Sequence, residues 1–270
     1  MGLDSKSFVE KQNQKTGRFF FNSKDKALNF TRILFAKSFG QEQCCVCGKD
    51  SCAVPICKTC IEKKLFSFNS PGEKRCSICG KELVSEDGKC MDCRESPVLQ
   101  HTDFVFPLYP YRLWNKMLLF EWKIQNKRAL SPILAKAVYK ALCFLFPSNL
   151  PPVVPVPPRP GKIRARGWDQ IDDLCIYLSK MYGVKILKLL ERTTSTQQKK
   201  LDREERLKTK GKSYILRQDF ASWRIKHQIP EEAVLLDDVL TTGITVENCA
   251  VLLKEAGVIK VNALTLFIVD

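Results

Sequence analysis

The chain has 270 residues, of which 44% are hydrophobic and 27% charged, and it carries a formal net charge of +15. This composition is typical of a globular protein, and no apolar run reaches the roughly 18 residues that a membrane-spanning helix requires, which excludes a helical membrane protein. We therefore expect a soluble protein with one α/β domain of ordinary size and a smaller module.

Positive charge is concentrated in two parts of the chain. Residues 185–226 contain thirteen Lys and Arg against five Asp and Glu, and residues 112–140 contain seven against one. Such a field attracts anions, which could be a polyphosphate-bearing small molecule or a nucleic acid, and charge alone does not distinguish the two. A solvated basic surface that only favours solubility is the third interpretation.

The first 43 residues form a basic N-terminal extension. They are polar and mixed in charge and lack the continuous apolar core of a secretory signal, so we expect a cytoplasmic protein. Residues 25–39, DKALNFTRILFAKSF, predict a basic amphipathic helix that packs on the body of the protein rather than on a membrane.

The thirteen cysteines are expected to be metal ligands rather than disulfides, because thiols stay reduced in the cytoplasm. Eight of them form four CxxC pairs. Each pair can place two thiolates on one metal from a tight knuckle, and two pairs complete a tetrahedral zinc site. Residues 44–95 are therefore predicted to be a double zinc-binding module with about two Zn2+ ions per chain. The predicted ligands are Cys44, Cys47, Cys57, Cys60, Cys76, Cys79, Cys90 and Cys93.

The spacing leaves the pairing of the four motifs open. Sequential pairing gives one site per half, and a cross-braced arrangement that joins the first pair to the third has the same spacing. Four thiolates leave no open coordination position, so we expect both metals to be structural and to supply much of the folding free energy of the module. The other cysteines are expected to be bystanders or core residues; they are Cys45, Cys52, Cys143, Cys175 and Cys249.

From residue 104 onward, apolar runs alternate with amphipathic stretches. This alternation predicts a doubly wound, mostly parallel α/β sheet in residues 104–270, whose ligand is expected at the carboxyl ends of the strands. Residues 114–146 are predicted to be helical at both ends, with a basic break at Lys123 to Arg128. The predicted strands are 153–157, 184–190, 233–239 and 261–269, and the predicted helices are 170–182 and 245–257.

The segment VLLDDVLTTGIT, residues 234–245, lies at one of these strand ends. The strand is expected to stop at Asp237 and Asp238. The residues that follow, which we call the phosphate cradle, bring a glycine and small hydroxyl groups to a helix N-terminus, where backbone N–H groups and the helix dipole favour a phosphate. A Walker loop and a dinucleotide fingerprint are excluded, because GK[ST] and GxGxxG are missing. The cradle consists of Thr241, Thr242, Gly243 and Thr245.

The two carboxylates restrict the ligand further. Beside a phosphate they would repel it unless they bind its hydroxyl groups or a Mg2+ that bridges to it, so the expected ligand carries phosphate, diol and metal together. Consecutive residues of a strand point to opposite faces. We therefore expect either a backbone turn at Asp237 and Asp238 or a different partner for one of them.

VLLDDVLTTGIT resembles the signature of the type I phosphoribosyltransferases. The resemblance implies that Asp237 and Asp238 bind the ribose hydroxyls of phosphoribosyl pyrophosphate, with Mg2+ as the accompanying ion. It also implies that the phosphate cradle binds the 5′-phosphate of the same ligand.

Three further segments narrow the resemblance to the ComF family: LLFEWKIQNKRALSPILA, VPVPPRPGKIRARGWDQ and TTSTQQKKLDREERLKTKGKSY. With the doubled zinc module, the likeness covers nearly everything from Cys44 to Asp270. It implies that the second segment contains a pyrophosphate-binding loop and that the third is a lid, residues 193–212, over the ligand. The basic residues it assigns to the substrate are Lys123, Arg159, Lys162, Arg164, Arg166, Arg203 and Arg206, and Lys127 and Arg128 are further basic positions.

Two functions follow from the resemblance. The first is an enzyme, a pentosyl-transferring glycosyltransferase that displaces pyrophosphate from phosphoribosyl pyrophosphate with a nitrogen nucleophile. The alternative is a non-catalytic factor of natural competence that assists DNA uptake by binding single-stranded DNA and a helicase partner. Trp114, Phe120 and Trp122 lie among basic residues and would fit base stacking, although burial in a core fits them better.

Overall fold

The computed structural model describes residues 42–51, 54–66, 74–158, 167–193 and 213–269. Its strands are β1 (Glu42–Gln43), β2 (Asp50–Ser51), β3 (Phe104–Pro110), β4 (Val153–Pro155), β5 (Leu190–Arg192), β6 (Tyr214–Leu216), β7 (Glu232–Leu240) and β8 (Lys260–Ile268). Its α-helices are α1 (Lys58–Cys60), α2 (Met91–Glu95), α3 (Trp114–Leu119), α4 (Ser131–Leu145), α5 (Gln170–Tyr182), α6 (Phe220–Lys226) and α7 (Ile244–Glu255). π-helical turns at Ile61–Leu65 and Phe120–Ile124 follow α1 and α3, and a 3-10 turn at Arg128–Leu130 precedes α4. None of the helices within these ranges combines the length and the apolar content that a bilayer crossing needs.

Four parallel strands form the main sheet in the order β3–β8–β7–β4, which confirms the predicted parallel α/β fold. The central strands β7 and β8 pair from Glu232 and Lys260 to Leu240 and Ile268. Both are rich in apolar residues, as is usual where the two faces of a parallel sheet are covered. Because all four strands run in one direction, their carboxyl ends lie at one edge of the sheet.

Helices cover both faces of this sheet. On one face, Val234 and Leu236 pack with α4 and α5 in the main core, and on the other face Ala233 and Leu235 pack with α7 in a second core. The alternation between cores is the period-two pattern of a strand. The fold is therefore doubly wound, as predicted.

Strand β3, FVFPLYP, is not among the predicted strands. Pro107 and Pro110 cannot donate to a β-ladder, and prolines argue against a central strand. Among the described strands, β3 pairs with β8 alone and lies at the edge of the sheet, where a missing N–H is tolerated.

The predicted break between two helices is present. Helical structure from Trp114 to Ile124 ends, and α4 begins at Ser131 after the 3-10 turn. Trp122 is fully buried and donates its Nε1–H to Ser131 Oγ at 3.0 Å. This indole belongs to the main core, so it is not available to stack on a base.

The predicted strand at 184–190 is wrong in its extent. Ile186 forms an isolated parallel bridge with Val153, and the regular strand β5 begins at Leu190. Strands β5 and β6 form an antiparallel hairpin that packs against α7 in the second core. All but the first residue of the predicted lid lies outside the described residues.

The first half of the cysteine module is part of the main core. Cys44, Ile56 and Leu65 are at most 1% exposed and belong to the same core as Trp122. The Tyr109 hydroxyl donates to the Leu65 carbonyl and links this half to β3.

The second half of the module docks on the edge strand. Gly80 has φ of +72° and approaches β3 so closely that a Cβ atom there would lie 2.4 Å from the Val105 carbonyl oxygen. Arg75 donates to the carbonyls of Gly80 at 2.9 Å and Pro107 at 3.1 Å, and its guanidinium lies 4.7 Å from the Phe106 ring centroid. The module therefore covers part of the open edge of the sheet.

Candidate functional site

The eight predicted zinc ligands form two separate clusters of four sulfur atoms. In each cluster the sulfur atoms all lie within 4.8 Å of one another. The Sγ atoms of Cys47 and Cys57 are 3.7 Å apart, as are those of Cys79 and Cys90. Zn–S bonds of about 2.3 Å in a tetrahedron place sulfurs about 3.8 Å apart, so the donor set fits zinc. The structure has the sequential pairing: Cys44, Cys47, Cys57 and Cys60 in one cluster, and Cys76, Cys79, Cys90 and Cys93 in the other.

One thiol in each cluster ionises readily. Burial opposes ionisation, but backbone N–H groups around the sulfur lower the pKa of Cys44 to about 6 and that of Cys76 to about 7. Burial and neighbouring cysteines raise the pKa of Cys60 and Cys79. A zinc ion held by four thiolates must displace the remaining protons, so zinc affinity rises with pH.

Strand β7 does not stop at the acidic pair. It runs from Glu232 to Leu240, which confirms the predicted strand 233–239, and the expectation that it stops at Asp237 and Asp238 is wrong. Its register with β8 continues unbroken, with Asp237 opposite Thr265 and Val239 opposite Phe267. Successive side chains of a strand project to opposite faces. The expectation of a backbone turn is therefore wrong, and the two aspartates have different partners.

Asp238 forms an ion pair with Lys123, which lies in the π-helical turn after α3. The two side chains are 18% and 21% exposed, so the pair is shielded from solvent more than a typical surface salt bridge. Lys123, a predicted substrate contact, is thereby placed at the acidic pair.

Asp237 is partly buried within β7. Burial and the charge of Asp238 raise the pKa of Asp237 to about 8, although the Asp238 N–H donates to Asp237 Oδ1 at 2.8 Å and Lys123 favours ionisation. The charge of Asp237 adds to burial in raising the pKa of Cys249 and of Tyr214. Near neutral pH the carboxyl group of Asp237 is therefore largely protonated.

The phosphate cradle leads from β7 into α7. Thr241 and Thr242 are exposed, whereas Gly243 is buried and adopts φ of +82° as the N-cap residue of the helix. A Cβ atom at Gly243 would lie 3.0 Å from Leu99 Cγ. The first N–H groups of a helix have no intrahelical partner and favour an anion. The cradle therefore has the local backbone that a phosphate site needs.

A short linker ties the cysteine module to the cradle, a contact that the sequence does not predict. Glu247, in the first turn of α7, accepts the N–H groups of Gln100 at 2.9 Å and His101 at 3.1 Å, and it also contacts His101 Nδ1 at 2.5 Å. Leu99, the preceding linker residue, packs over Gly243. In the sequence, this contact is indicated only by the presence of a glutamate in the first turn of a predicted helix. A favourable interaction with the helix dipole explains that glutamate equally well.

A cleft of about 380 Å3 lies between the second cysteine cluster and the cradle. Residues 240–243 line it, and so do Lys81, Asp92 and Leu99 of the cysteine module and linker. The volume suits a small-molecule ligand. The cysteine module thus borders the carboxyl edge of the sheet.

Two further basic residues that the family resemblance singles out, Lys127 and Arg128, form ion pairs within the protein. Lys127 Nζ pairs with Glu42 at 2.6 Å and with Glu121 at 2.9 Å. Arg128 Nη2 pairs with Asp173 Oδ1 at 2.6 Å. These contacts hold segments of the fold together and do not reach the cradle.

Asp169 caps α5. Its Oδ1 accepts the N–H groups of Ile171 at 3.0 Å and Asp172 at 2.9 Å. Burial raises its pKa, and the charges of Asp172 and Asp238 act in the same direction. The remaining predicted substrate contacts, Arg159, Lys162, Arg164, Arg166, Arg203 and Arg206, lie outside the described residues.

One curated protein shares part of this sequence. The chain is 30% identical over 113 residues to Competence protein ComFC of Streptococcus pneumoniae (strain ATCC BAA-255 / R6). The match covers 42% of this chain and 46% of that protein, so it spans less than half of either. No protein-family model matches the chain.

Proposed function

Taking the chain as a ComF-family protein, we propose that it binds phosphoribosyl pyrophosphate with Mg2+ and transfers the phosphoribosyl group to a nitrogen nucleophile. The similarity to ComFC and the two four-cysteine clusters support the family. One observation carries the function: β7 presents Asp237 and Asp238 at the carboxyl edge of a parallel sheet, directly before the phosphate cradle. Ligands of doubly wound sheets bind at this edge.

The acidic pair and the cradle bind different parts of the ligand. Although their side chains project to opposite faces of β7, Asp237 and Asp238 reach the ribose hydroxyls from the two sides of the strand, and a protonated Asp237 can donate a hydrogen bond to a ribose oxygen as well as accept one. The cradle binds the 5′-phosphate through the N–H groups at the start of α7 and through its threonine hydroxyls. When the ligand binds, Lys123 leaves its ion pair with Asp238 and pairs with an anionic group of the ligand instead.

The donor set also fits Mg2+, because carboxylate oxygens and phosphates are its preferred ligands. Asp237 and Asp238 are the described carboxylates that would hold it or its waters. When bound, the ion neutralises charge that develops on the leaving pyrophosphate.

The transfer exchanges one bond at the anomeric carbon for another. The C–O bond to pyrophosphate breaks and its electron pair stays on the pyrophosphate oxygen, while the lone pair of the nucleophile forms the new C–N bond. The proton that the nitrogen loses ends on the released pyrophosphate. Catalysis is mainly electrostatic, since the site holds the leaving anion and the positive charge of the sugar ring. The predicted contacts to the pyrophosphate are Arg159, Lys162, Arg164 and Arg166, with Arg203 and Arg206 from the lid.

A second candidate function is DNA handling in natural competence. It is supported by the name of the relative, a competence protein, and by the basic segment 112–140. In this case the protein binds single-stranded DNA and a helicase partner. Of the three aromatic residues predicted for stacking, Phe120 is 40% exposed, Trp114 is half-buried and Trp122 is buried, so the surface available for stacking is small.

Isothermal titration with phosphoribosyl pyrophosphate and Mg2+ tests the proposal. The wild-type protein should bind, and Asp237→Asn with Asp238→Asn should lose most of the affinity. Asp219→Asn is the matched control, because Asp219 is exposed and pairs with Arg217 on the surface. Absence of binding to the wild-type protein at millimolar ligand, in a preparation that shifts single-stranded DNA, would refute the transferase and favour the second function.

A further inference from the structure

An apolar stripe runs along the outer side of α3 and the π-helical turn that follows it. The positions of its four residues are separated by four, three and four residues, so they share one face of the helical segment. The buried residues of the segment, Leu118, Leu119 and Trp122, face the main core instead. The side chains of the stripe are between 40% and 81% exposed, and they are Leu113, Met117, Phe120 and Ile124.

The stripe begins at an unusual residue. Leu113, which precedes α3, adopts φ of +51°, a backbone conformation that residues with a side chain rarely adopt. It is also 81% exposed. Single apolar side chains on a surface are normal, but a contiguous group of them marks an interaction surface. The stripe therefore indicates a contact with something outside the described residues.

The described part of the chain begins close to one end of this stripe. Its first residue, Glu42, accepts an ion pair from Lys127 Nζ at 2.6 Å, and Lys127 is three positions beyond Ile124. Three peptide units join residue 39 to Glu42, and they span at most about 11 Å. Residue 39 must therefore lie near the Ile124 end of the stripe.

The segment that precedes Glu42 has a complementary pattern. Residues 25–39, predicted to form an amphipathic helix, lie outside the described residues. Leu28, Phe35 and Phe39 are separated by seven and four residues, so they would share one face of that helix, and Gly40 is a favoured residue after a helix end. Fifteen helical residues extend about 22 Å, and the stripe extends about 16 Å. The segment is long enough to cover all of it.

We propose that residues 25–39 dock as a helix on the apolar stripe, with Leu28, Phe35 and Phe39 facing it. The inference goes beyond the proposed function and does not depend on it. The docked segment packs on the turn Phe120–Ile124, which carries Lys123, and so supports the cation that pairs with Asp238.

The size and composition of the stripe favour a tethered segment over a separate partner. A stable interface between separate proteins buries about 800 Å2 on each side, which four partly exposed side chains cannot supply. A segment of the same chain needs less contact area, because the tether gives it a high effective concentration. Stacking of successive bases needs several aromatic faces, and Phe120 is the one aromatic residue of the stripe.

Photo-cross-linking of the purified full-length protein tests the docking. Benzoylphenylalanine in place of Phe120 keeps an aromatic ring and reacts with whatever lies against it. Irradiation should give a monomeric product in which mass spectrometry locates the cross-link within residues 25–39. The same group in place of Ile225 is the control: Ile225 is 86% exposed on α6, whose Trp223 packs against the second core on the other face of the sheet. It should give no cross-link to residues 25–39.

Charge placed on the docking face should break the contact. Phe35→Asp should lower the yield of the internal cross-link by about tenfold, because the new carboxylate would lie against apolar side chains. Asn29→Asp adds the same charge outside the face formed by Leu28, Phe35 and Phe39, and should leave the yield unchanged.

Three results would overturn the inference. Cross-links between two molecules that increase with protein concentration would assign the stripe to self-association. A folded Phe120 variant with no cross-link to residues 25–39 would leave the stripe open to a separate partner, such as single-stranded DNA. An unchanged yield in Phe35→Asp would show that the segment lies nearby without docking through this face. None of these results affects the titration with phosphoribosyl pyrophosphate, so the proposed function stands or falls separately.

Discussion

Lys123 and Asp238 are 115 positions apart in the chain, yet their side chains form an ion pair at the carboxyl end of β7. The ammonium group therefore lies against one of the two carboxyl groups that we propose as the ribose-binding pair. A ligand that takes Asp238 must first displace an internal cation. That cation is then free to interact with the ligand's own negative charge.

Lys123→Met should destabilise the protein at neutral pH. The variant leaves the carboxylate of Asp238, which is 18% exposed, without its cation, and the free energy of unfolding should fall by about 1–3 kcal/mol. Adding Asp238→Asn should recover most of the loss. Lys188→Met is a suitable control for urea denaturation, because Lys188 is 62% exposed in its pair with Asp172. Equal losses in the two lysine variants would contradict the special position of Lys123.

Asp237 should make stability depend on pH. Its pKa is raised from 3.8 to about 8, so between these values the folded protein keeps a proton that the unfolded chain has released. Stability therefore falls as pH rises from about 4 to about 8, and it levels off above that range. Asp237→Asn removes this contribution, and the difference between variant and wild-type unfolding free energies should grow with pH across the same window. A pH-independent difference would contradict the raised pKa.

Gly243→Ala should weaken ligand binding more than it weakens the fold. The substitution places a side chain at φ of +82° and 3.0 Å from Leu99 Cγ, so the cradle must shift. We expect a loss of roughly 1–2 kcal/mol in stability from the left-handed backbone, and at least a tenfold loss of affinity for phosphoribosyl pyrophosphate. Leu99→Ala in the same background removes the steric part and should restore some affinity, measured by titration calorimetry. An unchanged affinity in Gly243→Ala would show that the cradle does not bind the ligand.

Gly80 and Gly48 form a natural comparison, because they follow corresponding CxxC pairs and both have φ of +72°. Within the described part of the chain, a Cβ atom at Gly48 has no neighbour within 4 Å, whereas one at Gly80 meets the Val105 carbonyl oxygen at 2.4 Å. Gly48→Ala should cost about 1–2 kcal/mol for the backbone alone. Gly80→Ala should cost at least about 2 kcal/mol more, because β3 must move. Zinc-saturated proteins compared by chemical denaturation provide the measurement, and similar costs would argue against tight docking of the module on β3.

Substitution of the zinc ligand Cys44 should lower zinc content and stability, whereas substitution of its neighbour Cys45 should leave the zinc content unchanged. Cys44→Ser breaks the first cluster, in which Cys44 and Cys60 belong to the main core, and should lower bound zinc from about two ions to about one and destabilise the whole protein. Cys45→Ser is the control, because Cys45 is outside the cluster and burial raises its pKa to about 11. Elemental analysis and thermal unfolding measure both effects. Two zinc ions in folded Cys44→Ser would refute the assigned ligands.

The sequence predicts those features that depend on short-range spacing. Four CxxC pairs indicate the two cysteine clusters, and apolar runs separated by amphipathic stretches indicate the parallel sheet. The break between α3 and α4 follows from a run of basic and polar residues. In each case the pattern lies within about 20 residues, a scale on which local propensity and burial act together.

Prediction from the sequence fails where contacts between distant segments determine the structure. The acidic pair looks like a strand end because charge interrupts an apolar run, but pairing with β8 and the cation of Lys123 keeps Asp237 and Asp238 within β7. Strand β3 is obscured by its prolines, which are tolerated because the strand lies at an edge. The contact between Glu247 and His101 joins residues 146 positions apart, and no local pattern contains it.

Docking of the cysteine module on β3 also bears on aggregation. A bare edge strand offers unpaired carbonyls and N–H groups that can recruit a strand from another molecule. Here Arg75 occupies the Pro107 carbonyl, Gly80 packs against Val105, and the proline nitrogens of β3 offer no donor. A zinc ion bound by the second cysteine cluster would hold the knuckle that carries Gly80 in shape, so loss of that ion should uncover this edge. Bound zinc would in this way protect the protein from β-pairing between molecules, and chelation should promote self-association in addition to any loss of fold.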